Sequence, residues 1–284
     1  MINNTIKTVF LLTFLAVLFI LVGGALGGTV GLIIGVGIAL VMNFGAYWFS
    51  DKIVLKMHSA KEVHKGHELY DMTQELARVM KLPMPKVYLV HTPSPNAFAT
   101  GRSPSHAAVA ASPSLINLLS REELKAVMAH ELSHVKHRDT LIQAIAVTIG
   151  ASIAFIAEMM QWALIFGMGR SEDEGLTSLV GSIALLILAP IIAVIIQMAI
   201  SRQREYMADA GAVQVMKTPM PLINALMKLE EFGKNIRTQP SPTKMTADAL
   251  YISNPFKGGL MGLFSTHPAT KDRIKAMKTV KIVR

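Results

Sequence analysis

The chain has 284 residues, 51% of them hydrophobic and only 17% charged, and no Cys. So small a charged share excludes both an ordinary soluble globule and a disordered chain. The lack of Cys excludes a disulfide-stapled secreted domain and a Cys-type zinc finger. The formal net charge of +9 fits either nucleic acid or the basic flanks of membrane spans, and position along the chain decides between them.

Residues 8–50 carry no charge. One bilayer crossing needs about 20 apolar residues, so this block holds two, with a turn at Gly23-Gly24-Ala25-Leu26-Gly27-Gly28. A cleaved signal peptide is the competing reading. The weak basic start and the second span that follows at once favour a retained hairpin.

Segment 61–81 repeats apolar residues at helical spacing (Val63, Leu69, Met72, Leu76, Val79, Met80) and ends at Pro83 and Pro85. Val87–Val90 reads as a short strand. Ala97–Thr100 and His106–Ala110 read as a small hairpin around Gly101-Arg102-Ser103-Pro104. His58, His64 and His67 read as solvated or membrane-facing.

A helix start is then marked by Ser120-Arg121-Glu122-Glu123, a capping box, with Leu119 and Leu124 placed for a hydrophobic staple. It leads into His130-Glu131-Leu132-Ser133-His134. Four residues apart on a helix, His130 and His134 share a face and can hold one metal ion. Glu131 stands beside that ion, placed to take a proton from a water molecule there. The bland alternative is a surface helix bearing two His and an acid. Catalytic zinc takes three protein ligands and keeps one open position. A third His six residues after His134 would mark a metzincin, but Thr140 stands there. His137 would crowd the pair and reads as a helix-surface residue.

The helix reads as continuing unbroken into a second apolar region that starts at Thr140 and reaches Phe166, interrupted only by Glu158. The acidic loop Arg170–Glu174 follows, then an uncharged stretch over 175–201 containing Pro190. That makes a second hairpin and four spans in all. Lys52, Lys56, Lys61, Lys136, Arg138, Arg202 and Arg204 lie on the side opposite the connecting loops. The positive-inside rule therefore puts them and both termini in the cytoplasm. The positive charge needs no nucleic acid. Past the last span, Glu205 and Asp209 share a helix face. One carboxylate on the metal and one on a ligand imidazole would complete the site; two solvated acids are the alternative.

Two spans, H-E-x-x-H, two more spans and then Glu205-x-x-x-Asp209 resemble the HtpX heat-shock membrane proteases, relatives of the CAAX prenyl proteases. The resemblance covers nearly the whole chain. It implies a mainly α, polytopic membrane protein with a cytoplasmic α+β zincin-like (gluzincin) metalloprotease domain. The divisions are 1–50 (first transmembrane hairpin), 51–139 (protease domain with the HExxH helix), 140–200 (second hairpin) and 201–284 (protease domain with the third ligand). It implies one Zn2+ per chain on His130, His134 and Glu205, Glu131 as general base, and Asp209 behind the ligands. Pro95–Gly101 matches the family's substrate-side strand, which includes Asn96, and Thr266-His267-Pro268 matches a further motif, with His267 as a candidate oxyanion donor. The implied partners are the lipid bilayer and membrane-protein or unfolded polypeptide substrates, in a bacterial inner membrane under stress. A prenyl-protein-type processing peptidase, a membrane metal carrier and a non-catalytic scaffold are the alternatives.

Overall fold

The computed structural model describes residues 4–92, 94–150, 202–235 and 268–282. Glu158, His267 and most of the expected second hairpin lie outside them.

Helix α1 (Asn4–Trp48) is helical throughout but cannot be one straight rod. A Cβ on Gly35 would strike the backbone of Phe19 and Ile20, and one on Gly23 would strike Gly31. Residues sixteen apart on a straight helix are separated by about 24 Å. The element therefore doubles back into two arms, Ile6–Leu21 and Gly28–Trp48, as the run of glycines predicts. Gly28 takes φ +55° at the turn, a backbone shape that glycine adopts freely. Of the described helices, Gly28–Trp48 alone is long and apolar enough to cross a bilayer; Ile6–Leu21 is shorter. Its outer end carries Phe44, Tyr47, Trp48 and Phe49, all exposed, as at a membrane interface.

Helix α2 (Ser50–Met57) leads to a four-stranded sheet of β1 (Lys61–Val63), β2 (Lys86–Leu89), β3 (Ala97–Gly101) and β4 (Ala107–Ala111). The strand order is β1-β2-β4-β3, with β2 and β4 parallel and the outer pairs antiparallel. Segment 61–81 is thus not all helix. Its first residues pair with β2 as an edge strand, and α3 spans Glu68–Met80 with the His67 Nδ1 accepting the Leu69 N–H. Val63 sits on the strand and Val79 is exposed; Leu69, Met72, Leu76 and Met80 are the buried stripe.

Strands β3 and β4 are buried along their whole length. Their side chains alternate with period two. Ala97, Ala99, Ala107, Val109 and Ala111 enter the core formed with α3, α4 (Pro113–Leu118) and α5 (Arg121–Lys136). Phe98, Ala108 and Ala110 enter a second core with Val54, Leu55, Ala144 and Val147. The sheet is therefore sandwiched between the H-E-x-x-H helix on one side and the elements that adjoin the apolar segments on the other. His58 belongs to this second core. It is 6% exposed, with its ring 4.8 Å from Phe98, so it is neither solvated nor lipid-facing.

Helix α5 starts as predicted. The Ser120 N–H donates to Glu123 Oε2 (2.8 Å) and the Glu123 N–H to Ser120 Oγ (3.3 Å). Lys228 adds a contact to Glu123 at 2.7 Å. The end of α5 departs from the expectation of a continuous helix. The chain breaks at His137-Arg138-Asp139 before α6 resumes at Thr140 (described to Gly150). The break is a Schellman motif: the Asp139 N–H donates to His134 O (3.0 Å), the Arg138 N–H to Val135 O (3.1 Å), and Arg138 takes φ +58°. Leu11 and Leu15 of α1 pack against Ile142, Ile145, Ala146 and Ile149 of α6. Helices α7 (Arg202–Met216), α8 (Met220–Asn235) and α9 (Thr270–Lys278) complete the described residues.

Candidate metal centre

Helix α5 is the central element of the fold, and nearly every residue from Glu123 to Val135 is buried. Helix α7 packs against it through Ala208, Ala212 and Gly211, residues small enough for close approach. A Cβ on Gly211 would overlap Ser133 Oγ and stand 3.0 Å from Ser133 Cβ. The buried residues of α7, namely Arg204, Glu205, Ala208, Asp209, Ala212 and Val213, recur at helical spacing and so form the face turned to α5.

This packing brings His130, His134 and Glu205 together, all buried, with one ligand atom from each within 4.8 Å of the others. The two Nε2 atoms are 3.3 Å apart. Glu205 Oε1 lies 3.4 Å from His134 Nε2, and Oε2 lies 3.6 Å from His130 Nε2. Ligand atoms about 2.1 Å from a tetrahedral zinc ion lie about 3.4 Å from one another. The two imidazole nitrogens match one edge of such a tetrahedron, and the Glu205 carboxylate faces both of them through its two oxygens, so the residues fit a divalent ion. Two imidazoles and a carboxylate also leave one position open. Glu131, next on the helix, is 6% exposed.

Each imidazole is backed by an acid. His130 Nδ1 is 3.0 Å from Asp209 Oδ1. Behind Asp209 stands Arg273 of α9, which donates from Nη2 to Oδ1 (2.6 Å) and from Nε to Oδ2 (2.9 Å). Arg273 Nη1 is also 4.0 Å from Glu205 Oε2. His134 Nδ1 is 3.3 Å from Asp139 Oδ2, and Asp139 Oδ1 is 3.4 Å from Arg204 Nη1. Sequence reasoning passed over Asp139 and Arg273 and read Arg204 only as a flanking charge. A buried Arg five places past a family motif gives no periodic signal, and Asp139 reaches His134 only because the helix breaks.

The charges explain one another. Burial pushes the Asp209 carboxyl up, but the Arg273 guanidinium and the His130 N–H outweigh it and hold the group down at about 2. Burial pulls His130 down, yet Asp209 and Glu205 together push it up to about 9 in the metal-free chain. Burial also disfavours the Arg273 charge, and Asp209, Glu205 and Glu131 more than restore it.

Asn96 lies outside this cluster of contacts. Its N–H donates to Ser112 Oγ (2.9 Å) and its carbonyl accepts the Ser112 N–H (2.8 Å), which fixes the start of β3. Its side-chain amide is buried with no hydrogen-bond partner among the described residues. His137 caps the end of α5 and is not in the metal cluster.

Residues 64–281 match the family described as Peptidase family M48. The chain is 48% identical to a protein named Protease HtpX homolog from Syntrophotalea carbinolica, over 99% of this chain and all of that one. It is 49% identical to a protein of the same name from Persephonella marina, over 96% of each. A crystal structure of S. mikatae Ste24p aligns at a TM-score of 0.47 and 18% identity, covering 97% of this chain and 66% of that one. With the family matched across both metal-bearing helices, and relatives alike from end to end, the chain belongs to peptidase family M48 and is a membrane-bound metalloprotease of the HtpX type.

Proposed function

We propose that the chain is a zinc-dependent endopeptidase that spans the bacterial inner membrane four times. Its site faces the cytoplasm, and it cleaves misfolded or damaged membrane proteins and unfolded polypeptides during stress. The buried His130–His134–Glu205 cluster, with one ligand atom from each within 4.8 Å of the others and Glu131 next on the helix, carries this reading. Zinc held there would supply a Lewis acid for the scissile carbonyl and lower the pKa of a water molecule. Glu131 takes a proton from the attacking water and passes it to the leaving amine. Asp209, held by Arg273, keeps the Nδ1–H of His130 in place so that Nε2 faces the ion.

Strand β3 ends the sheet order among the described residues. An extended substrate docks there by strand addition, with Asn96 at its start. His267 donates to the oxyanion. The positive-inside charges support the cytoplasmic orientation, and the interfacial aromatic residues Tyr47 and Trp48 support membrane insertion.

The test is Glu131→Gln on the purified chain. It should bind about one zinc per chain, as the wild type does, and lose casein hydrolysis by about 10²–10⁴-fold or more. Chelation should silence the wild type and zinc should restore it. Hydrolysis retained by the variant would defeat the assignment of Glu131.

A further inference from the structure

The geometry points to Asp139 and Arg204 as a second positioning pair of the metal centre: Asp139 holds the Nδ1–H of His134 so that Nε2 faces the cluster, and Arg204 holds Asp139. This rests on the metal-binding reading above and adds what fixes the second imidazole.

A neutral imidazole carries one N–H. For Nε2 to offer its lone pair, the proton must sit on Nδ1, where an acceptor fixes both tautomer and ring angle. His130 meets that condition through Asp209, which Arg273 grips at 2.6 and 2.9 Å. His134 meets it in the same way. Asp139 Oδ2 lies 3.3 Å from Nδ1, Asp139 is 1% exposed, and Arg204 Nη1 stands 3.4 Å from its other oxygen. Each imidazole thus has a carboxylate behind it, and each carboxylate has a guanidinium.

The helix break makes the second pair possible. On an unbroken helix, residue 139 would lie about 7.5 Å along the axis from His134 and about 140° around it, facing away. The Schellman turn folds the chain back instead, at the expense of a left-handed backbone at Arg138 (φ +58°). Arg204 directly precedes Glu205, so the pair also ties the helix that brings Glu205 to the end of the helix that brings the histidines. The competing account makes Asp139 only the N-cap of α6. Its backbone carbonyl accepts the Gln143 N–H at 3.2 Å, as any residue's would, but its two carboxylate oxygens lie against His134 and Arg204.

The test uses full-length protein in detergent: wild type, Asp139→Ser, Asp139→Asn, Arg204→Gln and the double variant Asp139→Asn/Arg204→Gln. Cobalt(II) titration against a competing chelator gives Kd, the visible cobalt spectrum reports the coordination, and the melting of metal-free protein reports the fold. Serine still caps a helix but cannot reach His134. Asp139→Ser should weaken cobalt binding 10–100-fold and alter the spectrum, by more than its loss of metal-free melting accounts for. Asp139→Asn, which keeps size and an acceptor oxygen, should lose less, and it carries the test if Ser does not fold. The double variant should lose little more than the worse single one. Wild-type Kd and spectrum in both Asp139 variants would overturn the pairing. So would losses of affinity that merely track losses of metal-free melting. A wild type that binds no cobalt would overturn the metal centre itself, and the pairing with it.

Discussion

Arg273→Met tests whether the Arg273–Asp209 pair holds the site together. Methionine keeps much of the length and apolar stem of arginine but removes the guanidinium, leaving Asp209 (1% exposed) against the imidazole alone. Two unit charges about 4 Å apart at an effective dielectric of about 20 interact by about 4 kcal/mol. Breaking one side of a buried ion pair typically destabilises by about 3–5 kcal/mol, because the remaining charge stays buried. Both arguments give the same range, a large share of the roughly 5–15 kcal/mol that holds a domain folded. At roughly 2–4 °C per kcal/mol, the metal-free variant should melt about 10 °C below wild type. The assay is thermal unfolding in detergent with chelator, repeated with zinc, and with Arg273→Lys as a second variant. Lysine restores a charge but cannot span both Asp209 oxygens, so about half the loss should return. A drop of less than about 2 °C for Arg273→Met would refute the reasoning, since it would mean the ion pair contributes nothing net.

Gly211→Ala should destabilise the metal-free chain by about 1–3 kcal/mol and weaken zinc binding, because the new methyl overlaps Ser133 and pushes α7 away from α5. Adding Ser133→Gly should recover much of the affinity, which a zinc titration of the single and double variants checks; no recovery would place the strain elsewhere. Burial holds His58 neutral and pulls it down to about 4. The unfolded chain therefore binds more protons than the folded one between about pH 6.5 and 4. Stability should rise with pH across that window and fall, by up to about 3 kcal/mol, as pH drops through it. Melting curves of wild type and His58→Leu from pH 4 to 7 should diverge at the acid end, with the variant showing the flatter profile.

The parts of the site legible in the sequence are those fixed by local rules. His130 and His134 lie one helical turn apart behind a capping box, and Glu205 and Asp209 lie one turn apart on another helix, so spacing alone aligns each pair. The double-back of α1 was legible because six residues at its turn include four glycines. The break after His137 was not, since neither Gly nor Pro marks it and a charged residue takes the left-handed position. Asp139, Arg204 and Arg273 owe their roles to tertiary placement and carry no pattern of their own. Strand β1 was hidden for the same reason: three residues, two of them exposed, gain their strand character from pairing with β2. His58 looked solvated because nothing near it in sequence foretells the Phe98 ring that covers it.

His130 and His134 come before the long apolar stretch of residues 151–201 and Glu205 comes after it, yet all three converge on one point. Under the proposed topology, the intervening chain has to return on the face of the bilayer that it left, so the number of crossings it makes is even. A molecule threaded with the wrong parity would strand the third ligand across the lipid from the other two. Under that topology, insertion with the right parity is a precondition for assembling the peptide-hydrolysing site.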